Sequence, residues 1–194
     1  YIEDNRSLMI YIATHKKFNV PNLNGYCALQ VGAEGKEKYG YLRDNIGNHI
    51  SGKNANYCEL TGLYWIWKNT DDSYKGLVHY RRYFGRNNLS NKISDICSYE
   101  YLLNCLKSVD IVLPYVEYFK QNAKEEILLH CCTEEIFDKL RQIIETKYPD
   151  YIETYDRYFN ENKASLFNML FCKREIFDAY CEWLFSILFV LEKQ

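Results

Sequence analysis

Tyr74-Lys75-Gly76-Leu77-Val78-His79-Tyr80-Arg81-Arg82-Tyr83 is the stretch on which the reading of the chain turns. Its first half is largely apolar, and it runs without a break into a basic, aromatic end. Preceded by the turn residues Asp71-Asp72-Ser73, such a run reads as a buried strand. In open α/β sheets ligands sit beyond the carboxyl ends of strands, so the donor-rich end marks a candidate site. Upstream, Leu8-Met9-Ile10-Tyr11-Ile12-Ala13-Thr14 has the same character and ends in His15-Lys16-Lys17. Between the two, Tyr57 to Asn69 reads as a helix, with Leu60, Leu63, Tyr64 and Trp67 at helical spacing. Pro21 to Asn56, rich in Gly, Asn, Lys and Asp, reads as a long ordered binding loop.

Downstream, Tyr99 to Lys107 predicts a short helix and Asp110 to Pro114 a strand closed by proline. Thr133 stands as an N-cap with Glu134 and Glu135 in the first turn of a helix, Ile136, Leu140, Ile143 and Ile144 forming its buried stripe up to Pro149. Leu166 to Cys172 predicts a fourth strand. Glu175 to Leu191 predicts an amphipathic helix with Ile176, Tyr180, Trp183, Leu184 and Leu188 on one face. Strands alternating with helices give an α/β fold with a mostly parallel sheet and helices on both faces, in one domain over residues 1–194. The chain starts without Met and its last helix has no cap, so it is expected to be truncated at the C-terminus.

A net charge of -2 argues against nucleic acid as a general partner. The 19 tyrosines and 10 phenylalanines suit a large core first and sugar-binding faces second. The eight cysteines include no C-x-x-C pair, and Cys131-Cys132 are adjacent, so free thiols in a reducing cytoplasm are expected. No apolar run reaches membrane-spanning length. The aromatic C-terminal helix is expected to pack on the sheet, with peripheral contact at the inner face of a membrane as the alternative.

Convergence of the strand ends at His15-Lys16, at His79-Tyr80-Arg81-Arg82 and after Pro114, at Tyr115 and Tyr118, would build a positive, aromatic site for a phosphate-bearing ligand. Strand alternation would put His79 and Arg81 on one face, Tyr80 and Arg82 on the other. The long stretch adds Arg43-Asp44-Asn45 and Ser51-Gly52-Lys53-Asn54, with Lys53 able to meet a phosphate. The full G-x-x-x-x-G-K-[ST] motif of a P-loop is not met, and no G-x-G-x-x-G follows the first strand. His130 beside two cysteines reads as structural, with a site role as the alternative. Asn168 inside a strand needs partners and fits a structural bond or a ligand contact equally. No metal ligand set is assigned, and the chain has no D-x-D.

The blocks Ile10–Lys16, Asn45–Asn54, Tyr57–Asn69, Gly76–Phe84, Asn168–Phe171 and Tyr180–Phe185 together resemble a bacterial family long known as a domain of unknown function. Its members lie in capsular and exopolysaccharide clusters and look like glycosyltransferases. The resemblance implies a GT-A-like, Rossmann-like fold and transfer of a sugar from a nucleotide-sugar donor to a glycan or lipid-linked glycan acceptor. It implies a donor site drawn from His15, Lys16, Asp44, Lys53, Asn54, Glu59, His79, Tyr80, Arg81 and Arg82. His79-Tyr80-Arg81 falls where such folds place D-x-D, which suggests that basic side chains, rather than a divalent metal, offset the leaving diphosphate. A metal held by residues elsewhere stays open. The family pattern continues beyond residue 194 into a stretch with an acidic residue and an Arg. The general base is therefore expected there, since Asp44, Glu59, Asp110 and Glu125 do not stand out from one another.

Overall fold

The computed structural model describes residues 8–86, 92–130 and 132–194. In chain order its elements are β1 (Leu8–Thr14), β2 (Tyr26–Gln30), β3 (Leu42–Arg43), α1 (Asn54–Tyr57), α2 (Leu60–Asn69), β4 (Tyr74–His79), α3 (Tyr99–Cys105), β5 (Ile111–Val112), β6 (Val116–Tyr118), α4 (Ala123–His130), α5 (Glu134–Lys147), α6 (Ile152–Asn160), β7 (Lys163–Ser165), β8 (Leu170–Lys173) and α7 (Arg174–Leu191). They fall into two units. One holds the described residues up to Pro114 with Phe167–Cys181; the other holds those of Tyr115–Leu166 with Glu182–Gln194.

The first unit is a six-stranded sheet in the order β3-β2-β1-β4-β8-β5. β1 pairs parallel with both β2 and β4, and β2 pairs parallel with β3. β8 runs antiparallel between β4 and β5. A central strand with parallel neighbours is buried on both faces, which is why β1 is a near-continuous apolar run. Ile10 and Ile12 join Val78, Phe171, Tyr99 and Leu102 in the core that α3 covers. Tyr11 points the other way, its ring 6.2 Å from that of Trp65 in α2 and its hydroxyl donating to Asp72 at 2.6 Å. Helices thus cover both faces, and each fully buried Ile or Phe contributes roughly 1.5–3 kcal/mol relative to exposure. α2 lies so close to the end of β2 that a Cβ on Gly62 would stand 3.2 Å from Leu29 Cδ2 and 2.7 Å from Cγ1 of the following Val31. Lys75, fully buried in β4, is compensated by Asp178 of α7 at 2.9 Å.

Four sequence expectations change. The stretch Pro21 to Asn56 is not one loop: it contains β2, β3 and the first three residues of α1. β2 is only five residues long and β3 two, too short for periodicity to stand out. The expected helix from Tyr57 is broken at Cys58, where φ is 48°. The expected strand Leu166 to Cys172 cannot form throughout, because Phe167 and Asn168 sit at φ 75° and 51°; Asn168 is therefore in a left-handed corner, not a strand. α7 buries Phe177, Cys181, Phe185 and Ile187 rather than the predicted stripe.

The second unit holds the β6–β7 antiparallel pair and α4, α5 and α6, of which only α5 was legible. Thr133 caps α5 as expected, accepting from the Ile136 amide. Ile136 itself is exposed, and Phe137 takes its place in the interior against Phe159 at 4.9 Å. Ile143 and Ile144 pack with Ile187, and Arg141 grips Asp156 with two parallel bonds of 2.9 and 2.7 Å. No helix among the described residues is long and apolar enough to cross a membrane. Cys27, Cys58, Cys97, Cys105, Cys132, Cys172 and Cys181 are free thiols; Cys131 lies outside the described residues.

Candidate active site

From β1 the chain places β2 and then β3 on one side, and returns to lay β4 on the other. The strand order reverses between β1 and β4, which in an open α/β sheet leaves a crevice at the carboxyl ends. Ala13 and His79 are the last paired residues there, and a cavity of about 530 Å³ opens over them, within the range of small-molecule sites.

On the β1 side the Thr14 hydroxyl donates to the Lys16 carbonyl at 2.6 Å and accepts from the Lys16 amide at 3.2 Å. This turn carries His15 and Lys16 out of the strand. On the other side β4 stops at His79. The amides and carbonyls of His79 and Arg82 exchange two bonds of 3.0 Å, while the Tyr80 amide still reaches the Ala13 carbonyl. The expected alternation through Arg82 therefore gives way to a tight turn with Tyr80 and Arg81 at its tip. Arg81 and Lys16 place their charges 5.0 and 5.3 Å from the Tyr80 ring centre, and the His15 ring stands edge-on to it at 5.5 Å. Arg82 instead lies 4.1 Å over the Phe167 ring. Burial, and then the positive charges of Lys16, Arg81 and Lys36, hold His15 below the ordinary imidazole range. So many cations with a depressed histidine make a wall that an anion would relieve.

The opposite end is built differently. Glu59 stands at the N-cap of α2 but makes no capping bond. Its Oε1 accepts from Asn168 Nδ2 at 2.8 Å and lies 3.8 Å from His79 Nε2. His79 Nε2 is 2.7 Å from the Phe167 carbonyl, and a carbonyl can only accept, so this nitrogen carries the proton. Burial depresses the His79 pKa, partly offset by Glu59 and by that bond. Glu59 is the one carboxylate among the described residues lining the cavity. Among the described residues no group of three or more His, Cys, Asp or Glu side chains converges.

The crevice thus gathers His15, Glu59, His79, Tyr80, Arg81 and Arg82, with Asn54 at its margin. Asn54 is a strut there: its amide donates to the Cys58 carbonyl at 2.6 Å and it fills the space that a side chain at Gly32 would need. Lys16 joins the wall through Tyr80. Asp44 is not in the crevice but beneath it. It is fully buried, and accepts from the Gly32 and Ala33 amides and from the Ser51 and Thr61 hydroxyls. Lys53 Nζ lies 6.0 Å from the Tyr57 ring and does not line the cavity. His130 belongs to the second unit, exposed at the end of α4, with its Nε2 3.3 Å from Glu126. Tyr115 and Tyr118 also belong to the second unit.

Sequence reasoning missed Lys36, Cys58 and Phe167, which line the cavity. Lys36 is carried by a loop that Arg43 pins, its guanidinium donating to the carbonyls of Ala33, Lys36 and Glu37. The only local hint was the Gly32 to Gly35 spacing. Asn168 itself was the signal for the corner at Phe167, because Asn tolerates left-handed backbone.

The fold that carries this crevice is shared with a solved structure. The apo structure of WbbM, a bifunctional glycosyltransferase, superposes with a TM-score of 0.85 at 28% sequence identity. The match takes in 97% of this chain and 37% of that one, so the chain spans little more than a third of its structural relative. The fold is that of a glycosyltransferase-like α/β domain. The chain belongs to the family described as Domain of unknown function (DUF4422), which matches residues 9–194. No curated protein matches it in sequence.

Proposed function

We propose that the chain is a glycosyltransferase domain that moves a sugar from a nucleotide-sugar donor to a growing, lipid-linked capsular or exopolysaccharide acceptor at the cytoplasmic face of the membrane. The observation that carries this reading is the cationic wall around Tyr80 at the β1/β4 switch point. In it the donor diphosphate lies along Arg81, Lys16 and Lys36, with Arg82 beside it. Guanidinium forks match phosphate oxygens two at a time. As the bond from the sugar to the diphosphate breaks, charge builds on the leaving oxygen, and fixed cations stabilise that charge more than the ground state.

A divalent ion does not fit the residues of this wall. Magnesium and manganese take several oxygen ligands, whereas the wall supplies ammonium and guanidinium groups, and Glu59 at the opposite end is the single carboxylate among the described residues of the cavity. No step is assigned to a metal. The test is turnover: release of nucleoside diphosphate from a panel of nucleotide sugars, in EDTA, with a glycan acceptor. Changing Arg81 and Arg82 together to Ala is expected to lower kcat/KM by roughly a hundredfold or more; turnover unaffected by that change contradicts the site.

A second reading, a non-catalytic sugar-binding module, is favoured by one observation: Glu59 is engaged by Asn168 and is not set as a free base. It predicts donor or glycan binding with no release of nucleoside diphosphate.

A further inference from the structure

The two ends of the crevice differ in charge, and the difference points to a division of labour within the donor site proposed above, on which this inference rests. The Tyr80 end carries Lys16, Arg81 and the neutral His15. The other end carries Glu59, its side chain 19% exposed in the cavity. A carboxylate beside a diphosphate is repelled by it, so Glu59 must face the uncharged part of the donor. An ionised carboxylate only accepts hydrogen bonds and has about four acceptor positions. Asn168 uses one of them. What the rest can take from an uncharged sugar is its hydroxyl groups, or the N–H of an acylamino substituent.

The surroundings hold that carboxylate in place. The non-glycine residues with left-handed backbone among those described are Cys58, Phe167 and Asn168. They flank the Glu59–Asn168 bond from both sides, and residues held in this region store strain of roughly 1–3 kcal/mol each, common at ligand clamps. His79 holds the second corner through the Phe167 carbonyl, and Arg82 holds it through the Phe167 ring. The geometry points to Glu59 as the residue that reads the hydroxyls of the donor sugar, with Asn168 and His79 as positioning residues.

The substrate class is a nucleotide sugar whose sugar presents free hydroxyls next to the anomeric carbon's diphosphate. A site built to accept from a hydroxyl rejects the analogue lacking it strongly, since the carboxylate is then left without its partner. Glu59 therefore sets sugar selectivity, while the Tyr80 end binds any nucleoside diphosphate.

Titration calorimetry on the full chain tests this with UDP, GDP, ADP and dTDP and their hexose conjugates. The quantity read is the Kd of the nucleotide sugar divided by the Kd of its bare diphosphate. In Glu59→Ala this ratio is expected to rise roughly tenfold or more, as for loss of a charge-assisted bond, with diphosphate affinity changed less than about threefold. Glu59→Gln, which keeps the shape and can still accept from Asn168, is expected to give a smaller rise. Arg81→Ala is expected to weaken both ligands equally and leave the ratio unchanged. A ratio that stays constant in both Glu59 variants overturns the role of Glu59 alone. Binding of neither ligand by the wild type, or binding indifferent to Arg81→Ala, overturns the donor site and this inference with it.

Discussion

Asp44 and Glu59 are two carboxylates flanking the start of α2, and they are treated in opposite ways. Asp44 is sealed from solvent with four donors around it: two amides after β2, one hydroxyl from Ser51 and one from Thr61 in α2. Glu59 faces a cavity, caps nothing and engages a single amide. A buried charge whose every lone pair is met joins elements together. A charge held in place with acceptor capacity to spare is available to a ligand. The same contrast runs between the floor of the site, where Arg43 and Asp44 stitch the segment after β2 into order, and the crevice above it, where Lys16, Arg81 and His15 crowd one aromatic ring without a counter-anion among them.

The contrast breaks first at Asp44. Asp44→Ala strands the Gly32 and Ala33 amides and the Ser51 hydroxyl in the interior, while Thr61 keeps the Cys58 carbonyl at 3.2 Å, and a loss of roughly 3 kcal/mol in unfolding free energy is expected. For a chain of this size that lowers Tm by about 6–12 °C. Chemical denaturation checks it, and a loss under about 1 kcal/mol would mean that the floor is not organised around this carboxylate. Arg81→Ala with Arg82→Ala should do the reverse. Nucleotide-sugar affinity is expected to fall roughly a hundredfold, while stability stays within about 1 kcal/mol, because both side chains are exposed.

Gly62→Ala sharpens the floor side of the comparison. The added Cβ favours the helix by about 1 kcal/mol but meets Val31 Cγ1 at 2.7 Å, so a net loss of roughly 1–2 kcal/mol is expected, with the ratio of ligand affinities unchanged. Donor binding measured alongside the melting curve separates the two effects.

The smallest effect is that of pH. His15 and His79 are both held below the ordinary value of 6.5, His15 by burial and the charges of Lys16, Arg81 and Lys36, His79 chiefly by burial. The folded chain thus keeps both rings neutral where the unfolded chain takes up protons. Their contribution to stability is complete above pH 6.5 and is lost as pH falls below it. A bound diphosphate beside His15 raises its pKa again, so binding takes up a proton. Affinity for a nucleotide sugar, whose diphosphate does not itself titrate in this range, is expected to tighten several-fold between pH 8 and pH 6. His15→Asn should flatten that profile in calorimetry.

The sheet was legible where its strands are long and apolar. β1 and β4 announce themselves because both faces are covered, and α2 and α5 because their spacing and, for α5, the Thr133 cap survive in the structure. β2 was not legible: its five residues include Cys27 and Gln30, and Gln30 is buried because its amide donates to the Glu37 carbonyl and accepts from Arg43. The corner at Phe167-Asn168 was hidden for a related reason, since its left-handed backbone is stabilised by His79, Arg82 and Glu59, distant in sequence. The basic wall could be read from two strand ends except for Lys36, which a loop brings in. Glu59 and Asn168 were each named as candidates, but their pairing could not be read, because a bond across 109 positions is a property of the fold.

The most direct test of the account is a thermal-shift screen of the chain against nucleotide sugars in EDTA, in the wild type and in the Arg81→Ala, Arg82→Ala double variant. A ligand at about a hundredfold over its Kd adds about 2.7 kcal/mol to the folded state, a shift of several degrees. The account predicts such a shift for at least one donor, surviving EDTA and absent from the double variant. A shift that appears only with Mn²⁺, or that the double variant retains, contradicts it.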